Sequence, residues 1–312
     1  MQAPDPLHRR GVAAVWLATF IWAWGPVLVK WSDLPGPTFA MCRLWAGVAI
    51  SSVAIAVSRR RLTLEAVRAC ALGGLVFGAD IALGFIAVKR TTIADVALIT
   101  ALAPVAIMLV SAYRLRERVT VTSWLLVAVS FVGVVIVAVA SSGRPDWSLA
   151  GDLIAAVGIV TWSSYWFFSR HVRDRFDPIV YFACVLLVAA TAMTPFALVV
   201  DGVPTGIAAR DIFAFVTVAL LPGFVGHTLV IWSHRHVASW LSALITQVSP
   251  VITAALAWVV LGEAITPIAV LGGALTVAAT MAVIGLDARD SRAERFARDD
   301  ERVSEATAPH GP

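Results

Sequence analysis

LITALAPVAIMLVSAYRLRE, from Leu98 to Glu117, returns 146 positions later as LITQVSPVITAALAWVVLGE, Leu244 to Glu263. Leu98, Ile99, Thr100, Pro104, Leu115 and Glu117 each meet the same residue type in the second copy, with no gap. Each copy reads as a long apolar helix with a proline a third of the way in and a glutamate at its end. A repeat of this kind makes the chain two copies of one unit, and such a period decides the fold before any single residue does.

Composition says where that unit lives. Of 312 residues, 59% are hydrophobic and 14% charged, and the mean hydropathy is +0.85. A soluble domain carries about 25% charged residues. Several apolar runs reach the roughly 20 residues that cross about 30 Å of hydrocarbon. Their continuity excludes an outer-membrane barrel, whose strands alternate. The chain therefore reads as an all-α, multi-pass membrane protein. Its net charge of +4 is no nucleic-acid signal, because the arginines form short clusters between apolar runs, where positive charge sets topology. Cys42, Cys70 and Cys184 have neither CxxC nor metal spacing and read as small buried hydrophobes. The first apolar run is too long for a signal peptide and ends in bulky Trp22 and Trp24.

Outward from the repeat, ten transmembrane helices are expected. In the first half they cover 12–31, 38–57, 68–88, 93–113 and 121–140; in the second, 149–168, 179–200, 212–233, 240–261 and 265–286. Gly11 and Trp22 align with Gly151 and Trp162 at an offset of 140, and Lys89 with Arg235 at 146. The expected layout is a short N-terminus (1–11), a five-helix repeat (12–140), a connecting loop (141–148), a second five-helix repeat (149–286) and a charged tail (287–312). Five is odd, so the two halves lie in opposite orientations, and inverted repeats place a substrate site near the midplane where they meet. With both termini in the cytoplasm, eighteen of the 24 basic residues fall inside, five outside and only Arg43 within a span. That bias is the one the positive-inside rule demands of a cell-membrane protein. The tail mixes seven acids with five arginines and reads as a solvated, frayed extension.

Polar groups inside the spans need a reason, since a charge at mid-span costs about 2.5–3.5 kcal/mol on insertion scales. Asp80 shares a helix face with Gly73, Phe77 and Gly84. It reads as a proton- or amine-binding carboxylate, or as a protonated packing residue. His227 falls one place from the repeat equivalent of Asp80. The two together form a candidate coupling pair, against the plainer reading of a satisfied core histidine. Arg43 attracts an anionic group or snorkels to the interface. Trp22, Trp24, Trp162 and Tyr165 read as aromatic walls of a cavity, or as simple packing, with Gln247 adding a mid-membrane amide. Pro26, Pro104 and Pro250 cannot donate to the carbonyl four residues back and read as hinges. Asp95 suits a helix N-terminus. Glu117 and Glu263 sit at the unfavourable helix end and read as structural.

The paired pattern of Ala97, Leu98, Pro104, Leu115 and Glu117 with Ala243, Leu244, Pro250, Leu261, Gly262 and Glu263 resembles the drug/metabolite transporter superfamily, EamA type. Arg43, after Pro37 and Phe39, resembles it too, while Arg116 departs from the pattern where the second copy has Gly262. The resemblance implies a secondary carrier that exports or exchanges small metabolites, and no particular one.

No Walker loop, GxSxG, HExxH or paired metal motif is present. The expected function is secondary transport of amino-acid-like or amphipathic solutes, coupled to protons through Asp80 and His227. It needs no enzyme activity, cofactor, metal or nucleic acid; its partners are the solute and the bilayer. The alternatives are a carrier of phosphorylated or nucleotide-linked metabolites, disfavoured by a single in-span arginine, and an intramembrane enzyme using Ser233, His227 or Asp80. The sequence leaves the oligomeric state open.

Overall fold

A computed structural model describes residues 6–90, 102–114, 120–142, 149–173, 175–261 and 266–307. Among them the chain is helical: α1 (Pro6–Trp22), α2 (Trp24–Trp31), α3 (Gly36–Val57), α4 (Leu64–Ala69), α5 (Ala71–Arg90), α6 (Ala103–Arg114), α7 (Val121–Ser142) and α8 (Leu149–Arg173) make the first part. Then follow α9 (Pro178–Asp201), α10 (Ala209–Val218), a π-helical segment (Ala219–Gly226), α11 (His227–Ser233), α12 (Ser239–Thr246), α13 (Ser249–Leu261) and α14 (Pro267–Thr307).

Eight stretches of the described residues are long and apolar enough to span a bilayer: Pro6–Trp31, Gly36–Val57, Ala71–Arg90, Val121–Ala140, Pro178–Asp201, Ala209–Ser233, Ser239–Val260 and Pro267–Asp287. The other two expected spans account for the difference from ten. Residues 91–101, the start of the fourth, lie outside the described residues and leave only α6. The sixth, α8, is 25 residues long, but Asp152, Thr161, Ser163, Ser164 and Arg170 dilute its hydropathy. Asp95, Arg116, Glu117, Gly262 and Glu263 also lie outside the described residues.

The surface differs from that of a soluble protein, while the interior is still mostly apolar. Large apolar side chains such as Phe20, Val53, Leu125, Trp258 and Leu271 are exposed, while Thr19, Ser130, Thr276 and Thr280 are buried. Lipid solvates the first group. In the second, Thr19 donates to the Val15 carbonyl at 2.8 Å and Thr280 to that of Thr276 at 2.9 Å, so neither hydroxyl needs water.

Two helices depart from simple expectation at proline. The first span breaks at Ala23, because Pro26 has no N–H for the Trp22 carbonyl. The eighth changes to π register across Ala219–Gly226, where Pro222 leaves the Val218 carbonyl without its usual donor. The ninth is interrupted at Gln247 and Val248, just ahead of Pro250. The tail also differs from expectation. Helix α14 continues to Thr307 rather than fraying after Leu286. The stretch from Leu286 to Thr307 contains no Gly or Pro and is rich in Ala, Arg and Glu, all good helix formers.

Helix α3 lies against α9, α5 against α8, α6 against α12, α7 against α14, and α1 against the π segment and α11. The α5–α9 contact is close because of Gly74 and Gly78 rather than the Gly73–Gly84 face: a Cβ on Gly78 would stand 3.1 Å from the Ala189 Cα, whereas one on Gly84 meets nothing within 4 Å.

Polar contacts tie off both ends of the bundle. At one end the Lys89 ammonium donates to the Ser32 carbonyl and Asp33 pairs with Arg210. Buried Asp211 there accepts from the Ser32 hydroxyl at 2.7 Å and the Asp33 amide at 2.9 Å. At the other end the Arg235 guanidinium donates to the Phe176 carbonyl at 3.0 Å and Asp177 pairs with Arg60 at 2.5 Å. His8 bridges to Asp287 at 3.3 Å at this second end, so the first helix begins where the last span finishes.

Candidate functional site

The site forms where α1, α8 and the π segment converge. The Pro222 carbonyl accepts from Trp22 Nε1 at 2.8 Å and from His227 Nδ1 at 2.9 Å. Both of its lone pairs are then used. Gly226 allows this approach, since a Cβ there would lie 2.5 Å from Trp22 Nε1. A carbonyl only accepts, so the proton of a neutral His227 ring sits on Nδ1. Its Nε2 is left as a bare acceptor, and that atom is buried with no hydrogen-bond partner.

Aromatic rings enclose this imidazole. It stacks on Phe182 at 5.0 Å and 7°, takes edge contacts from Phe77 at 5.1 Å and Trp162 at 6.0 Å, and lies 4.9 Å from Trp22. A cavity opens beside it, lined by Trp22, Trp162, Tyr165, Trp166, His227, Val230, Ile231 and His234. The cavity extends toward His234, which caps α11 next to Arg235, and so toward the Arg60–Asp177 end.

Two ionisable groups stand behind the aromatic walls. Asp80 is half-buried on α5 and accepts from the Thr161 hydroxyl at 2.8 Å, next to Trp162. Arg43 on α3 is 2% exposed, with its guanidinium 5.5 Å from the Phe77 ring centre and Nε and Nη1 lacking hydrogen-bond partners. Gly223 of the π segment leaves room for it. Phe77 thus touches both Arg43 and His227 and lies one turn before Asp80 on α5. Buried charges so placed are costly unless something compensates them. Among the described residues no group of three His, Cys, Asp or Glu is placed to hold a metal ion.

Of the residues singled out in the sequence, Trp22, Trp162, Tyr165 and His227 share the cavity, and Asp80 and Arg43 lie one layer back. Trp24 packs elsewhere, with Leu28, Phe39, Val88 and Val218. Gln247 is buried at the break in the ninth span and is no part of the cavity wall. Pro26 is in α2, Pro104 is the second residue of α6 and Pro250 the second of α13. Sequence reading missed Trp166 and His234, although they follow Trp162 and His227 at helical spacings of four and seven. It also missed Pro222, whose carbonyl organises the site.

A profile described as the EamA-like transporter family matches residues 9–139 and again 149–285. A solved crystal structure is similar over 90% of this chain and 98% of its own, at 20% identity and a TM-score of 0.75, which supports the fold alone. A comparison with curated proteins finds no match.

Proposed function

We propose that this chain, which belongs to the EamA-like transporter family, is a secondary carrier that moves amino-acid-like or amphipathic solutes outward across the cytoplasmic membrane by alternating access. Membership makes it a multi-pass membrane transporter of the drug/metabolite type. The finer reading adds ten spans in two halves, 12–140 and 149–286, oppositely oriented with both termini inside. It adds proton coupling through Asp80 and His227, and hinges at Pro26, Pro104 and Pro250. The observation that carries it is the aromatic cavity around an unpartnered imidazole acceptor, with Asp80 and Arg43 one layer away. Aromatic walls with few polar groups suit an amphipathic solute.

Two features support the inverted arrangement. Exchanging each span of the first half for its counterpart maps the contacts α3–α9, α6–α12 and α7–α14 onto themselves, and turns α1–α11 into α5–α8. The closures at the ends follow the same rule. Lys89 and Arg235 are repeat equivalents, and each holds the carbonyl that precedes an aspartate, Ser32 before Asp33 and Phe176 before Asp177. Each aspartate then pairs with an arginine of the other half, Arg210 or Arg60. Two matching latches at opposite ends are what a carrier needs to open one side at a time.

Sealed liposomes with an imposed pH gradient, offered a mixed panel of amino acids and related metabolites, test the carrier. Gradient-dependent accumulation of one compound class is expected by mass spectrometry. A chemically altered product in place of a relocated one would instead support an enzyme.

The latches give a second expectation. Exposed ion pairs are worth up to about 1 kcal/mol, about fivefold in a population. With a Trp166→Cys reporter in a background lacking the native cysteines, Asp177→Ala should raise maleimide labelling from the inner side two- to fivefold. Asp33→Ala should lower it. Identical labelling in both variants would remove the latch reading.

A further inference from the structure

From the geometry of His227 we infer that the cavity reads a hydrogen-bond donor on its ligand: the solute is an apolar or aromatic body carrying an N–H or O–H at one edge, and His227 Nε2 accepts from it. The inference rests on the carrier reading only in treating this cavity as the solute site.

Three observations combine. The tautomer is fixed, because Nδ1 donates to a carbonyl that also receives Trp22 Nε1. Neither ring can therefore turn over without breaking a hydrogen bond. Nε2 is buried in a residue 7% exposed and has no partner. A buried acceptor left open is rare in native proteins and calls for an explanation. And His227 lines the cavity, with Trp22, Trp162, Tyr165 and Trp166 around the same space.

The surroundings decide what the ligand must look like. Stacking on Phe182 and edges from Phe77 and Trp162 hold the imidazole plane still, so Nε2 points in one direction. The walls offer ring faces and the side chains of Val230 and Ile231, which favour a flat apolar body. A site built to hydrogen-bond one group on its ligand rejects the analogue that lacks it, because its own buried group is then left unpaired. A ligand with only acceptors would set two lone pairs against each other.

Indole and 1-methylindole test this, as they differ at the one N–H. Binding is measured by equilibrium dialysis on the full-length protein in nanodiscs at pH 8. Indole is expected to bind roughly tenfold more tightly than 1-methylindole, about 1.4 kcal/mol. In His227→Phe, which keeps a ring but removes the acceptor, the preference should fall to about twofold or less. The wild-type comparison stands without the variant: equal affinity for the two probes, or binding of neither, overturns the inference. So does a preference that survives His227→Phe, since the methyl group's bulk would then be its cause. The carrier reading fails separately. Liposome transport with no indole preference keeps the carrier and removes the donor-reading site. A clear preference in a protein that moves nothing keeps the site and removes the carrier.

Discussion

Asp80→Asn is expected to abolish gradient-driven accumulation in liposomes, by at least about tenfold, while leaving the protein folded. Asparagine keeps a side-chain oxygen to accept from Thr161, which donates to Asp80 at 2.8 Å, and it has nearly the same volume. Packing should therefore survive, and the unfolding temperature should stay within a few degrees of wild type. What disappears is a group able to hold a charge or a proton. Charged groups placed inside spans are costly, about 2.5–3.5 kcal/mol on insertion scales, and mark relays and solute paths. The substitution therefore separates the two readings of this residue. If Asp80 couples transport to protons, the variant still exchanges solute down its own gradient but no longer concentrates it against one. If Asp80 only packs, accumulation and its dependence on the imposed pH gradient stay at wild-type values, and the coupling assignment falls. Thr161→Val sharpens the comparison. It removes the carboxylate's one observed donor and leaves the carboxylate, so it should slow accumulation less than the loss of Asp80 does.

How much of this was legible beforehand follows from what a repeat encodes. The offset of 146 between Leu98–Glu117 and Leu244–Glu263 carried the two-part architecture, and the family profile divides the chain at nearly the same place. Trp22 and Trp162 were legible as partners through their offset of 140, and their rings do meet, 5.7 Å apart. Proline was only half legible. A break near Pro26 follows from its missing N–H, but whether Pro222 ends a helix or widens it into π register depends on neighbours in other spans. Here those are Trp22, taking the Pro222 carbonyl, and Arg43, lying against Gly223. The latches escaped for a different reason. Asp33 and Asp177 stand in short connections where acids are common, and only their contacts with Arg210 and Arg60 single them out. Trp24 shows the reverse case. It lies two residues from Trp22, and on a helix that spacing turns a side chain to another face, which is why it packs away from the cavity.

Gly272→Ala should lower the unfolding temperature, although alanine is the better helix former. Helices α7 and α14 cross with Gly133 and Gly272 face to face. A Cβ on Gly272 would stand 2.7 Å from the Gly133 carbonyl oxygen and 2.8 Å from Ile136 Cβ, and one on Gly133 would stand 2.6 Å from the Gly272 carbonyl oxygen. Those atoms are backbone or the root of a branched side chain, so none can swing aside and the helices must separate. Small residues that let backbones approach are how membrane helices associate without a hydrophobic drive. The same crossing holds Thr276, whose hydroxyl reaches the Ser130 carbonyl at 3.2 Å and that of Gly272 at 3.1 Å. Removing a helix-interior glycine gains about 1 kcal/mol, whereas overpacking a tight contact costs about 1–3 kcal/mol, so the net sign is destabilising. Valine, with two more methyl groups at the same crossing, should cost several kcal/mol more. Gly84→Ala supplies the contrast within the same protein. Its Cβ would meet nothing within 4 Å, so only the propensity gain remains and the unfolding temperature should rise slightly. Melting the three variants in one detergent by tryptophan fluorescence ranks them. If Gly272→Ala melts at or above wild type, the two helices are not in backbone contact at Gly133. The transport consequence follows from the same contact: α7 and α14 come from different halves of the chain and pack on each other, so a wedge between them should reduce transport in step with stability.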